Sequence, residues 1–369
     1  MKTPENQNRF DARRIGQVLL NPDEQTSTGG IRRSAGPFMR IFICSLVLAL
    51  LPISRIGAES PQKWKLPDIP WAFLVPDKVQ PVIDERSGMI HVPGSTKSYT
   101  QDQIDDIANP PDWFPDEHAP MPQVVQHGGT GSVLGCASCH LGSGLGHPES
   151  ANLAGLSAAY IMRQLADFKS GARNGEAMPA IAKNLLDEDA RQASQWFANL
   201  KPKVWQTVIE TDSVPRTFVN KHLMRMPLPS GGMEPLGNRI IELPQDPARA
   251  ESRDPHSGFV AYVPVGSIAN GKELVTTGGA GKTIACSICH GPSLSGLGEV
   301  PAIAGHSPIY LFRQLYYFKD GTRDGTMSAL MKAVVARLSQ DDMVAITAYV
   351  GSLPPHNEES LLPSGAEHQ

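Results

Sequence analysis

The sequence is poor in several features that would have placed it in a familiar class. Aromatic side chains are 6% of its 369 residues and charged ones 19%. Basic residues do not predominate: 33 Lys and Arg stand against 37 Asp and Glu, a formal charge of −4. That balance argues against a nucleic-acid binder, whose phosphate contacts need a basic face. Five cysteines are too few for a disulfide scaffold, and the odd number leaves at least one with another role. The apolar run Ile41 to Ile53 falls short of the roughly 20 residues that span a bilayer. There is also no Ser/His/Asp set and no phosphate-binding glycine loop. The hydrophobic share of 40% still excludes a mainly disordered chain, and the length suits two domains. Glycine and proline, 34 and 32 residues, are in excess and suggest small units joined by irregular stretches.

The first 58 residues read as a secretory signal peptide rather than as part of the fold. The apolar run follows Arg32, Arg33 and Arg40 and precedes Ile56-Gly57-Ala58, a basic, apolar and small-residue succession. The polar stretch before Met39 is long for such a leader, so translation is expected to start at Met39. Cleavage near Ala58 removes Cys44 and leaves four cysteines, no stable membrane span and a formal charge of −8. The predicted location is the periplasm.

An internal repeat dominates what remains. Cys136-Ala137-Ser138-Cys139-His140 recurs 150 residues later as Cys286-Ser287-Ile288-Cys289-His290. The same displacement carries Tyr160 onto Tyr310, Arg163-Gln164-Leu165 onto Arg313-Gln314-Leu315, Phe168-Lys169 onto Phe318-Lys319, and Arg173 onto Arg323. After three extra residues, Met178 falls on Met331, Leu185 on Leu338 and Trp196 on Tyr349. Ser157 and Ser307 are expected helix N-caps, with Gly171 and Gly321 as C-caps. A later helix should start at Ser339 with a capping box to Asp342, and at Asp187 in the first copy. Residues 59–127 and 203–263 are rich in proline. The first of these also carries Trp64, Trp71, Phe73, Trp113 and Phe114, too many aromatics for a tether, so both segments are expected to wrap the helical units. Strand-like runs occur at residues 239–243 and 259–263.

Cys-x-x-Cys-His is the signature of c-type haem attachment. Two thiols at this spacing reach the two vinyl groups on one edge of the macrocycle, and the adjacent histidine lies under the iron. A zinc site would want four ligands where each motif offers three, and a thioredoxin-like pair would need a βαβ setting. A disulfide would give the histidine no role. The expectation is therefore two covalent haems on Cys136, Cys139, Cys286 and Cys289, with His140 and His290 as axial iron ligands. Met178 and Met331, each seven residues before a matched Leu, are the expected sixth ligands, folding back from a loop before the last helix. Met327 is the runner-up in the second copy, and ordinary core methionine is the alternative. His147 and His306 have no repeat partner and read as surface or loop residues.

These motifs resemble the class I cytochromes c, in particular the two-domain dihaem c-four type. The resemblance covers residues 128–202 and 264–355, about half the chain after the leader, and leaves a tail at 356–369. It implies an all-α fold of two tandem domains with His/Met iron, and periplasmic one-electron transfer between a donor dehydrogenase and an acceptor oxidase or cytochrome. The expected role is thus an electron-transfer protein rather than an enzyme; the alternative is a dihaem enzyme such as a peroxidase, with one open iron. The acidic surface would favour a partner with a basic docking face. Two departures stand out. Ser267 to Val275 fits the family's N-terminal helix, but the first copy has no counterpart, which is either replaced by the wrap or displaced to Gln101–Asn109. The long middle segment also argues against simple pseudo-twofold packing.

Overall fold

The computed structural model describes residues 65–81, 86–129 and 134–355. The expected signal peptide, the start at Met39, Cys44 and the tail at 356–369 lie outside the described residues. Among those described, no helix is long and apolar enough to cross a membrane.

Each repeat copy builds the same core of helices. After a short α1 (Gln101–Asp105) outside the repeat, the first has α2 (Gln123–Gln126), α3 (Ala137–His140), α4 (Ala158–Ser170), α5 (Met178–Asn184) and α6 (Asp187–Ala198). After the short α7 (Pro247–Glu251) come α8 (Ser267–Thr277), α9 (Ser287–His290), α10 (Pro308–Asp320), α11 (Ser328–Val335) and α12 (Gln340–Ser352). The predicted boundaries are present. The Ser157 and Ser307 hydroxyls accept from the backbone N–H of Tyr160 and Tyr310, and Gly171 and Gly321 close α4 and α10 in the left-handed region. Ser339 and Asp342 form the capping box, while α6 starts at Asp187 without a side-chain cap. Val124, Val125, Ile161, Leu185, Trp196 and Phe197 form the first core. In the second, α8 and α12 meet backbone to backbone at Gly271, where a Cβ would lie 1.9 Å from the Ala345 carbonyl oxygen.

The N-terminal helix of the first copy is neither lost nor moved to residues 101–109. One turn of it survives in place as α2: the Cys136 N–H donates to Val124 O, as the Cys286 N–H donates to Val275 O at the end of α8. The helix α1 belongs elsewhere, to a small cluster of Ile90, Val92, Ile104 and Trp113.

The fold is not purely all-α. Seven strands lie between the copies, because residues 206–263 alternate buried and exposed side chains or end at prolines that stop pairing. β1 (Gln206–Glu210) pairs in parallel with β7 (Phe259–Val263), which pairs antiparallel with β6 (Ile241–Pro244). Two ribbons complete the set, β2 (Ser213–Pro215) with β5 (Met233–Pro235) and β3 (Thr217–Val219) with β4 (Arg225–Pro227). Trp205 and Phe259 of this segment pack on Leu141, Leu145 and Ala154 of the first copy, and β1 also meets α12. The aromatics of residues 65–81 cover α10, with Trp71 against Phe312 at 4.6 Å and Phe73 against Tyr316 at 5.5 Å between ring centroids.

Pseudo-twofold packing is present after all. Arg173 donates to Gln164 Oε1 of its own copy (2.8 Å) and to Gln314 Oε1 of the other (2.7 Å). Arg323 donates to Gln314 (3.1 Å) and Gln164 (2.6 Å). Each guanidinium also reaches the opposite tyrosine, Tyr310 at 3.3 Å and Tyr160 at 3.0 Å, and each lies 4.4 Å from the ring of its own Phe168 or Phe318. The long connection leaves this contact intact because it folds beside the two units rather than between their facing helices.

Candidate haem sites

Both Cys-x-x-Cys-His runs fold into a single helical turn with the first cysteine at its N-cap. The histidine N–H closes the turn onto the first cysteine's carbonyl, at 3.0 Å in the first copy and 2.9 Å in the second. The chain leaves through the left-handed region at Leu141 (φ 61°) and Gly291 (φ 82°). That reversal lets the histidine carbonyl accept from Gly146 N or Gly296 N and brings the loop under the imidazole. The strain of a non-glycine residue there falls on the first copy alone.

The imidazoles are set identically. His140 Nδ1 donates to Ala151 O and His290 Nδ1 donates to Pro301 O, each at 2.8 Å and each eleven residues on. A carbonyl can only accept, so this bond fixes the proton on Nδ1 and leaves the Nε2 lone pair available to a metal. Burial holds both histidines below the ordinary imidazole pKa, so they are neutral, as ligation requires. The four cysteines among the described residues are in no disulfide. Before attachment, burial pushes the Cys136 thiol up to about 12 and the Cys286 thiol up to about 11. Among the described residues no group of three or more His, Cys, Asp or Glu is placed to hold a bare metal ion.

The methionines lie on helices rather than on a loop. Met178 is the first residue of α5 and Met331 lies in the middle of α11, both partly buried, whereas Met327 is 46% exposed. The paired lysines fix these segments: Lys169 Nζ donates to Leu185 O at 3.0 Å, and Lys319 Nζ makes the same bond to Leu338 O. Each lysine thus ties the long helix to the turn seven residues past the methionine.

The Cytochrome c family profile matches residues 268–354. A cytochrome c-554(548) of Halomonas halodenitrificans is 36% identical over 75 residues, 20% of this chain and 90% of that one. The chain belongs to the cytochrome c family. Over longer spans it resembles a thiosulfate dehydrogenase electron acceptor of Thiomonas intermedia, 28% identical over 59% of this chain and 78% of that one. It also resembles cytochrome c4 of Pseudomonas aeruginosa, 26% identical over 59% and 83%. This cytochrome is c4-like and dihaem, with two covalently bound c-type haems.

Sequence reasoning missed two features of the cytochrome. Arg173, Arg323, Gln164 and Gln314 recur in the repeat, but nothing in one chain's spacing says that they face each other across the copies. His306, read as a surface or loop residue, is buried, and burial lowers it to about 4; His147 is lowered to about 3 by burial and by neighbouring Arg253.

Proposed function

We propose that this cytochrome is a periplasmic electron carrier that passes single electrons from a dehydrogenase to a respiratory acceptor. In this reading Cys136, Cys139, Cys286 and Cys289 would hold the haems, and His140, His290, Met178 and Met331 would supply the iron ligands. The observation that carries it is the matched pair of neutral histidines, each with Nδ1 committed to a carbonyl and Nε2 left free. The haem supplies an iron that changes oxidation state by one electron. The chain's residues fix the ring tautomer and hold the methionine segments through Lys169 and Lys319. Relatives described as an electron acceptor and as cytochrome c4 support transfer over catalysis.

The test is spectroscopic. The oxidised protein should show the weak near-infrared methionine-to-iron band at an intensity of two per chain. One band, or a high-spin iron that reacts with peroxide, would overturn the carrier reading in favour of an enzyme. Replacing Cys286 and Cys289 by Ala should leave one covalent haem, and two would refute that site.

A further inference from the structure

The two haem-attachment turns are built alike but are not equally accessible. In the first copy the motif's third residue, Ser138, is 7% exposed. Two segments outside the repeat cover it: Ser138 Oγ donates to Ile107 O, and the Arg253 guanidinium donates to Ser138 O. The two covering segments are joined to each other, since Trp113 Nε1 donates to Ser252 O at 2.7 Å in a buried contact. Arg253 is held in the left-handed region (φ 58°) between the buried Ser252 and Asp254, and Asp254 is paired with Arg249 at 2.6 Å. In the second copy the same position is Ile288, 68% exposed. Ile284 and Leu297 are exposed beside it in sequence.

The open turn also has a distinctive chemistry. Residues 283–298 contain no Asp, Glu, Lys or Arg, and their one titratable imidazole, His290, is buried. Lys282 and Glu299 bound the stretch with opposite signs. An exposed apolar face around an attachment turn, in a protein whose equivalent face is closed by its own chain, marks an interaction surface. We propose that electrons enter and leave this cytochrome through the second copy's turn alone. The partner is a redox protein that presents its own cofactor edge in an apolar, uncharged patch. The first copy's haem then exchanges electrons only through the second. Because residues 283–298 themselves carry no Asp, Glu, Lys or Arg and the charges at their border are paired, Glu299 with Arg163 and Lys282 with Asp342, the acidity of the whole molecule does not select the partner, contrary to the basic docking face that net charge suggests.

The proposal rests on Cys286, Cys289 and His290 holding a haem, and haem counting tests that separately. The probe is a blue-copper protein whose copper edge lies in an apolar patch, used with zinc in place of copper so that it is redox-inert. Titrated into the holoprotein, it should shift amide NMR signals within residues 283–298 and leave residues 137–140 and 252–254 unmoved. Ile288→Lys should weaken binding about tenfold, because an unpaired ammonium would be buried. Ile284→Lys is the second variant, and both should keep two haems. With the copper form, the bimolecular electron-transfer rate of each variant should fall by a similar factor. The wild-type rate should change less than about twofold between low and physiological salt. Shifts centred on residues 252–254, no shifts in residues 283–298, unchanged binding by both variants, or a steep salt dependence would each overturn it. So would a concentration-dependent dimer closed through residues 283–298, which would make a second copy the occupant.

Discussion

Met331 and Met327 are four residues apart and differ chiefly in exposure. With Met331 partly buried on α11 and Met327 open to solvent, Met331→His should lower the potential of one haem, and Met327→His should leave both nearly unchanged. A redox titration of each variant checks this, and the reverse outcome would move the ligand to Met327. Glu242 offers a second test at this scale. Its carboxylate, on β6, accepts from Ser307 Oγ (2.8 Å) and from the Ile309 N–H (2.8 Å), capping α10 from outside its own copy. Burial outweighs these bonds and raises its pKa to about 7, against 4.5 for the free side chain. The folded state therefore holds a proton that the unfolded chain has already lost between those values. Stability from this group is greatest below about pH 4.5 and declines up to pH 7, by about 3 kcal/mol in all. Glu242→Gln keeps an acceptor for the N–H and should flatten the decline, read from urea midpoints across that range.

Helix packing sets what single elements tolerate. Gly271 lies where α8 and α12 touch through their backbones, so Gly271→Ala should cost about 3 kcal/mol, measured by denaturant unfolding of the holoprotein. Ser339→Ala removes one half of the α12 capping box and should cost about 1 kcal/mol. The capping box and the serine and glycine caps were legible beforehand because a cap is local: a serine, its spacing to an acidic residue and a closing glycine are all close along the chain. The fate of the first copy's opening helix was not legible. Residues 123–126 are too short to show a helical period, and only the bond from Cys136 N to Val124 O identifies them as its last turn.

The whole molecule is organised by two opposed features, a symmetric contact and asymmetric covering. At the contact, each glutamine oxygen receives both guanidinium groups, so removing one arginine leaves each oxygen partly satisfied, and removing both leaves two buried acceptors bare. Arg173→Ala and Arg323→Ala should each destabilise by about 2 kcal/mol, and the double variant should depart from their sum. A double-mutant cycle on chemical unfolding measures the coupling, and additivity would show that the four side chains do not act as a unit. The covering breaks this symmetry. Proline-rich segments close the first attachment turn and the outer face of α10, leaving the second turn exposed.

The repeat, the two attachment motifs, the helix caps and the strand runs near 239–243 and 259–263 were determined by the sequence itself, since each depends on residues close along the chain. Tertiary structure alone decided which of those features meet. Sequence spacing does not encode the direction in which Arg173 points, so its pairing with Gln314, 141 residues away, waited for the fold. The same holds for Arg253 over Ser138 and Glu242 at the start of α10. Cysteine scarcity left two thiols for each haem. Burial by distant segments made two equivalent motifs into one closed turn and one open turn.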